Sequence, residues 1–291
     1  MLQLTIENCT AENSELISEF LEGFGAVSVT MTDKFDNPIL EPDLGTMPLW
    51  PNVIIDALFD DANDLDEMQR DLLLIYPDLL CRVTTVSDKD WEKTCLHNFN
   101  AQIFANKLVV SPSWLECNIE NTVKLTLDPG LAFGTGSHAT TYLCLDWLAT
   151  KDLSGKNVID YGCGSGILGL AAIKLGAATV SAFDIDNQAL IATKNNAEVN
   201  NINADKLHII SDKNLLVKSD IIIANILLKT LIKLKNEFIG LLHEDGLLVV
   251  SGILVEQTKE IIADYESDFT LVAAEFKDEW AILVFKLGLN L

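Results

Sequence analysis

Over the first 86 residues the apolar positions switch between a period of two and a period near 3.6, which sorts the chain into strands and helices. Leu2–Glu7 alternates and predicts a strand, and Glu12–Glu22 carries Leu16, Ile17, Phe20 and Leu21 at helical spacing before Gly23 and Gly25 stop it. Ala26–Thr32 predicts a second strand, Lys34–Trp50 a loop with Pro38, Pro42, Gly45 and Pro48, and Val53–Phe59 a third strand. A helix over Ala62–Ile75 and a strand over Leu80–Val86 complete the order β-α-β-β-α-β, that of a ferredoxin-like α+β domain. Its carboxylates are expected on solvated faces. It reads as a binding or positioning module.

The polar stretch Ser87–Phe99 holds Trp91, Leu96 and Phe99 and predicts a short linking helix, with Ser87 as a candidate N-cap; Trp91 fits a core position equally well. The domain reading is therefore residues 1–86, a linker helix over 87–100, and a second domain over 101–291. Lys107–Ser111 and Thr122–Leu127 predict strands, and Asp128–Thr141 a glycine-rich turn running into an amphipathic helix over Thr140–Leu148. Ser137 and Thr140 are candidate caps for that helix, and His138 is the one imidazole in the turn.

From Asn157 onwards strands and helices alternate. Strands are predicted at Val158–Tyr161, Thr179–Phe183, Lys206–Ile210, Asp220–Ala224 and Gly246–Ser251, then a terminal pair at Thr270–Phe276 and Trp280–Lys286. Helices lie between, notably Asn187–Val199 and Leu227–Leu242. The pattern implies an α/β fold, a mainly parallel seven-stranded Rossmann-like sheet ending in an antiparallel hairpin.

The chemistry concentrates where Val158–Tyr161 breaks into a turn with Gly162, Gly164 and Gly166. Glycine there admits positive φ and close approach of a ligand, and the helix that follows presents its N-terminus. Asp184 closes the next strand about 20 residues on, placed for ribose hydroxyls, so the unit reads as a nucleoside site. A dinucleotide fingerprint starting at the strand end needs glycine where Ile167 stands, although Gly164, Gly166 and Gly169 fit the spacing two residues later. The run Asp160, Gly162, Gly164, Gly166 instead resembles motif I of class I S-adenosylmethionine-dependent methyltransferases. A plain strand-to-helix turn is the bland alternative. Asn225 ends an apolar strand at the predicted switch point of the sheet, over the crevice, unless it is simply a helix N-cap.

Bulk properties narrow the class. Hydrophobic residues make up 49% and charged residues 22%, which is enough to bury a core and excludes global disorder. The N-terminus lacks a basic, apolar leader and no apolar run spans a bilayer, so a cytoplasmic protein without membrane contact is expected. Six scattered cysteines lack metal-ligand spacing, with Cys95 and His97 a lone close pair, and no metal is implied. The formal charge of −23 repels a polyphosphate backbone and attracts basic macromolecules, so nucleic acid is not the expected partner.

Five stretches together are similar to one family along essentially the whole chain, the bacterial ribosomal protein L11 methyltransferases. They are Asp88–Glu92, Ser111–Trp114, Leu127–Gly136, Val158–Leu168 and Ala224–Leu227. The Leu-Asp-Pro-Gly-Leu-Ala-Phe-Gly-Thr-Gly run over 127–136 is the specific one. The resemblance implies a ferredoxin-like substrate-recognition domain, a linker helix and a class I methyltransferase domain. It implies S-adenosylmethionine contacts at Thr141, Gly162, Asp184 and Asn225, beside the glycines at 164 and 166. The implied substrate is a basic large-subunit ribosomal protein, methylated on lysine ε-amines and its N-terminal α-amine. For such a reaction the Asn225 side chain, with nearby backbone carbonyls, is expected to orient the amine. Two departures stand out: Ala139 where the family usually has proline, and Leu228-Lys229-Thr230 where it has a small residue and often a proline. A same-fold methyltransferase acting on another basic protein, and a non-catalytic paralogue, are the alternatives.

Overall fold

The computed structural model describes residues 1–35, 37, 39, 46–60, 65–86, 100–115, 117, 119–128, 136 and 138–288. The linker-helix segment and most of the glycine-rich turn before Thr140, Ser137 included, lie outside the described residues, as do Cys95 and His97. The chain divides into two compact units, Met1–Trp91 and Glu92–Leu291.

In the first unit, β1 (Leu2–Cys9), α1 (Ala11–Gly23), β2 (Ser28–Asp33), β3 (Val53–Phe59), α2 (Leu65–Ile75) and β4 (Leu80–Thr85) follow the predicted order. The strands pair antiparallel as β2-β3-β1-β4, the ferredoxin-like arrangement. Strict alternation puts Val53, Ile55, Ala57 and Phe59 on one face, where they pack with Leu4, Ile6, Ile17, Leu21, Met68 and Leu72. On the other face Asp56 accepts hydrogen bonds from Gln3 Nε2 at 2.7 Å and from the Thr5 hydroxyl. That carboxylate is therefore tied into the sheet rather than free on a solvated face.

The second unit opens with a three-stranded sheet that the apolar pattern gave only in part. β5 (Gln102–Phe104) runs antiparallel to β6 (Leu108–Ser111), and β6 runs parallel to β7 (Val123–Thr126). β5 is three residues long, too short for any periodicity to register. The main sheet follows from β8 (Asn157–Tyr161), β9 (Thr179–Phe183), β10 (Leu207–Ile210), β11 (Ser219–Asn225), β12 (Leu242–Leu254), β13 (Phe269–Lys277) and β14 (Trp280–Leu287). Its order is β10-β9-β8-β11-β12-β14-β13, with the last pair antiparallel and the rest of the crossovers parallel apart from β12–β14. The order reverses between β8 and β11, so the switch point lies where the glycine turn and Asn225 emerge.

The helices are α3 (Ala139–Thr150), α4 (Ile167–Lys174), α5 (Asn187–Val199), α6 (Leu228–Leu241) and α7 (Thr258–Tyr265). α3 is not the amphipathic helix the sequence suggested. Thr140, Thr141, Leu143, Cys144, Leu145, Trp147, Leu148 and Ala149 are all buried, because it packs against β11, β12 and β14 while also touching β5 and α4. β12 extends four residues before and three beyond the predicted strand, through an irregular stretch in which Asp245 takes φ +62°. No described helix is long and apolar enough to cross a membrane.

Candidate functional site

The glycine turn is built by its own backbone. Gly162, Gly164 and Gly166 have φ of +78°, +53° and +78°, which a side chain would make costly. Gly162 N–H and Cys163 N–H both donate to Phe183 O at 2.8 and 3.0 Å, Gly166 N–H donates to Cys163 O at 2.7 Å, and Gly164 N–H donates to Asp184 Oδ2 at 3.0 Å. These four donors are thus used inside the protein, so they form no open nest for a pyrophosphate. That agrees with the nucleoside reading, which Asp160 and Ile167 already favoured over a dinucleotide. Gly169, the residue that completed the alternative spacing, has a packing role. A Cβ there would lie 2.9 Å from Val180 Cγ1 and 3.1 Å from Asp160 Oδ2, so it lets α4 close against β8 and β9.

Asp184 sits at the lip of the turn, half-buried. Its Oδ1 accepts from Asp186 N–H at 3.0 Å while Oδ2 holds Gly164. Each oxygen keeps a further lone pair, which suits a vicinal diol. Next to it the Ile185 side chain is 93% exposed, an apolar surface standing in solvent beside a carboxylate, as a flat heterocyclic base requires. Behind the turn, Asp160 is 1% exposed and accepts from Gly169 N–H at 2.8 Å. Burial pushes its carboxyl up to about 7; the Gly169 hydrogen bond opposes this and the charge of Asp184 adds to it.

On the other side of the switch point Asn225 is the last residue of β11 and not a helix cap; Leu227 takes the cap position of α6. Asn225 Nδ2 lies 3.5 Å from Thr141 Oγ1 on the first turn of α3, so two of the predicted site residues meet. Ile226 then passes between two glycines. Its Cγ2 would lie 2.6 Å from a Cβ at Gly162, and its backbone oxygen 2.7 Å from one at Gly252, where φ is +80°. Gly252 was missed because its signal, a lone glycine in a strand pattern, means little until the neighbouring chain is known.

His138 proves to be the N-cap of α3, its Nδ1 accepting from Thr140 N–H at 3.3 Å and lying 2.8 Å from the Thr140 hydroxyl. Thr140 is therefore not the cap; the suggestion of Ser137 falls outside the described residues. The ring meets Trp280 edge-on at 4.9 Å, and burial pushes its pKa down, so it is neutral near pH 7. It shapes the loop. Among the described residues no three His, Cys, Asp or Glu side chains cluster as metal ligands, and Cys9, Cys81, Cys117, Cys144 and Cys163 are free thiols.

A seven-stranded sheet of this order, with a nucleoside turn and a strand-ending Asn at its switch point, defines a class I S-adenosylmethionine-dependent methyltransferase. A family model described as ribosomal protein L11 methyltransferase (PrmA) matches residues 1–288, and the chain belongs to that family. The protein named ribosomal protein L11 methyltransferase from Legionella pneumophila (strain Corby) is 53% identical over 283 residues, 97% of this chain and 98% of that one. Its namesake from Actinobacillus pleuropneumoniae serotype 3 (strain JL03) is 44% identical over 278 residues, 94% of each chain. The crystal structure of ribosomal protein L11 methylase from Lactobacillus delbrueckii subsp. bulgaricus, 31% identical, aligns with a TM-score of 0.60 over 65% of this chain and 99% of its own.

Proposed function

We propose that the protein methylates lysine ε-amines and the N-terminal α-amine of ribosomal protein L11 in the cytoplasm. The observation that carries this reading is the match to relatives named for that reaction over nearly the whole chain, first unit included. In this reading residues 1–86 recognise the substrate, 87–100 link, and 101–291 carry the chemistry. Thr141, Gly162, Gly164, Gly166, Asp184 and Asn225 hold S-adenosylmethionine, with Asp184 on the ribose. Bound there, the cofactor supplies an electrophilic methyl carbon.

The residues' task is then to present a neutral amine to that carbon in line and away from water. Deprotonating a lysine of pKa ~10.4 at pH 7 costs roughly 4–5 kcal/mol, and an α-amine of pKa ~8 much less. With His138 engaged as a cap, no side chain among the described residues of the site is placed as a strong base, so water takes the proton before attack. Asn225 Oδ1 accepts one amine N–H and aims the lone pair, while Thr141 fixes the Asn225 amide from behind. The net charge of −23 steers a basic ribosomal protein and turns away bare nucleic acid. Incubation with isotopically labelled S-adenosylmethionine and a complete set of ribosomal proteins, followed by mass spectrometry, tests the assignment. Label on L11 amines is the expected result. Label on a different basic protein would replace the substrate, and no label on any protein would leave a non-catalytic paralogue.

A further inference from the structure

One face of α5 carries three polar side chains at a spacing of three and four residues, Thr193, Asn196 and Asn200, the last at the helix C-cap. Each captures a backbone carbonyl of a segment distant in sequence. The Thr193 hydroxyl donates to Gly164 O at 3.0 Å, Asn196 Nδ2 to Ser165 O at 2.8 Å, and Asn200 Nδ2 to Thr126 O at 2.7 Å. Thr126 N–H in turn donates to Asn200 Oδ1 at 2.8 Å, so that amide pairs with β7 in the way a neighbouring strand would. Thr193 is fully buried and Asn200 is 4% exposed, so those two side chains do not compete freely with water, while Asn196 is half-buried.

Gly164 is the telling residue. Asp184 holds the N–H of the peptide before it and Thr193 the C=O of the peptide after it, so the two bonds pin the turn on both sides of the Gly164 Cα and limit the φ/ψ freedom that would move the N–H facing Asp184. The Thr193 methyl also occupies the space a Cβ on Gly166 would need, 2.7 Å away.

We propose that Thr193, Asn196 and Asn200 form a positioning rail that locks the glycine turn to β7 and presets Asp184 for the methyl donor. The proposal rests on the reading of this turn as the donor site. Preset geometry contributes to affinity because the turn has less freedom to lose on binding.

Thr193→Val keeps the shape and the methyl contacts but removes the donor; Thr193→Ser keeps the donor. Calorimetry with S-adenosylmethionine reads affinity, and amide exchange at Gly164 to Gly166 in the empty protein reads the turn itself. The rail predicts that Thr193→Val weakens binding about tenfold and speeds exchange in the turn, since the hydroxyl's bond to Gly164 O and its 3.3 Å contact with Cys163 Sγ are both lost. It predicts that Thr193→Ser recovers most of both. Unchanged affinity and exchange in Thr193→Val, or a serine variant as impaired as the valine one, overturns the rail. Asn200→Asp, which turns one donor into an acceptor facing Thr126 O, is expected to weaken binding in the same assays even where Thr193 is intact; wild-type affinity there also counts against the rail. If Asp184→Ala leaves the wild-type affinity untouched, it is the donor-site reading that fails, while the exchange data still judge the rail.

Discussion

Gly162→Ala is the sharpest probe of how the two walls of the site are joined. The new methyl meets two obstacles. A φ of +78° costs an L-residue about 1–2 kcal/mol. The Cβ would also lie 2.6 Å from Ile226 Cγ2. That contact is hard to relieve, since a β-branched side chain has few χ1 options and the Ile226 backbone is already pressed on Gly252. Overpacking of this kind adds about 1–3 kcal/mol, and the stiffer unfolded chain returns about 0.4–1 kcal/mol. The net expectation is a loss of roughly 1–5 kcal/mol, with Tm lower by about 2–4 °C for each kcal/mol in a unit of this size. The assay is denaturant unfolding of a double-mutant cycle. In an Ile226→Ala background the clash is gone and only the φ cost remains, so the penalty of Gly162→Ala should fall by about 1–3 kcal/mol. In an Ile226→Val background, which keeps the branch at Cβ, the full penalty should persist. If Gly162→Ala and Ile226→Ala are simply additive, the glycine is not there to admit Ile226 and the reasoning is wrong.

Three further outcomes are expected. Asp184→Ala should weaken S-adenosylmethionine binding by tenfold or more in calorimetry, as a charge-assisted hydrogen bond is worth about 1.5–3 kcal/mol; an equal Kd would reopen the choice of ligand. Asn225→Ala should lower kcat on the protein substrate by about 100-fold with the melting curve intact, on the scale of losing one polar group that orients a reacting centre, and near-normal turnover would remove Asn225 from its role. The Asp160 carboxyl, raised by burial to about 7 from 3.8, favours folding in its protonated form. Its contribution is complete below about pH 4 and is lost as pH rises towards 7. Asp160→Asn keeps an acceptor for Gly169 without the charge, so between pH 5 and pH 8 the wild type should lose about 2–3 kcal/mol relative to the variant, at ~1.4 kcal/mol per pKa unit. Urea midpoints that move in parallel across that range would contradict it.

Local pattern was enough for most elements because strand and helix periods are intrinsic to short stretches. Val53–Phe59, Thr179–Phe183 and Asn187–Val199 emerge as the pattern drew them. The character of α3 was not legible, since its near-complete burial depends on a small sheet and a long strand contributed by distant parts of the chain. His138 as a cap was hidden for a different reason: Ser, Thr, Asp and Asn lead the capping preference, so an imidazole two residues before Thr140 does not stand out as one.

The sequence by itself determined the two α/β patterns, the glycine turn at 162–166, Asp184 at a strand end and Asn225 at another, because each of these is a short-range relation between neighbours. Tertiary structure decided what those groups do to one another. It brought Asn225 to Thr141 across 84 residues, wedged Ile226 between Gly162 and Gly252, and ran α5 past three carbonyls from two segments. It also decided that the turn spends its N–H groups internally, in keeping with the methyl-donor motif that Asp160 and Ile167 had marked. Such facts depend on which strand lies beside which, and sheet order arises from packing the whole apolar content of the domain at once.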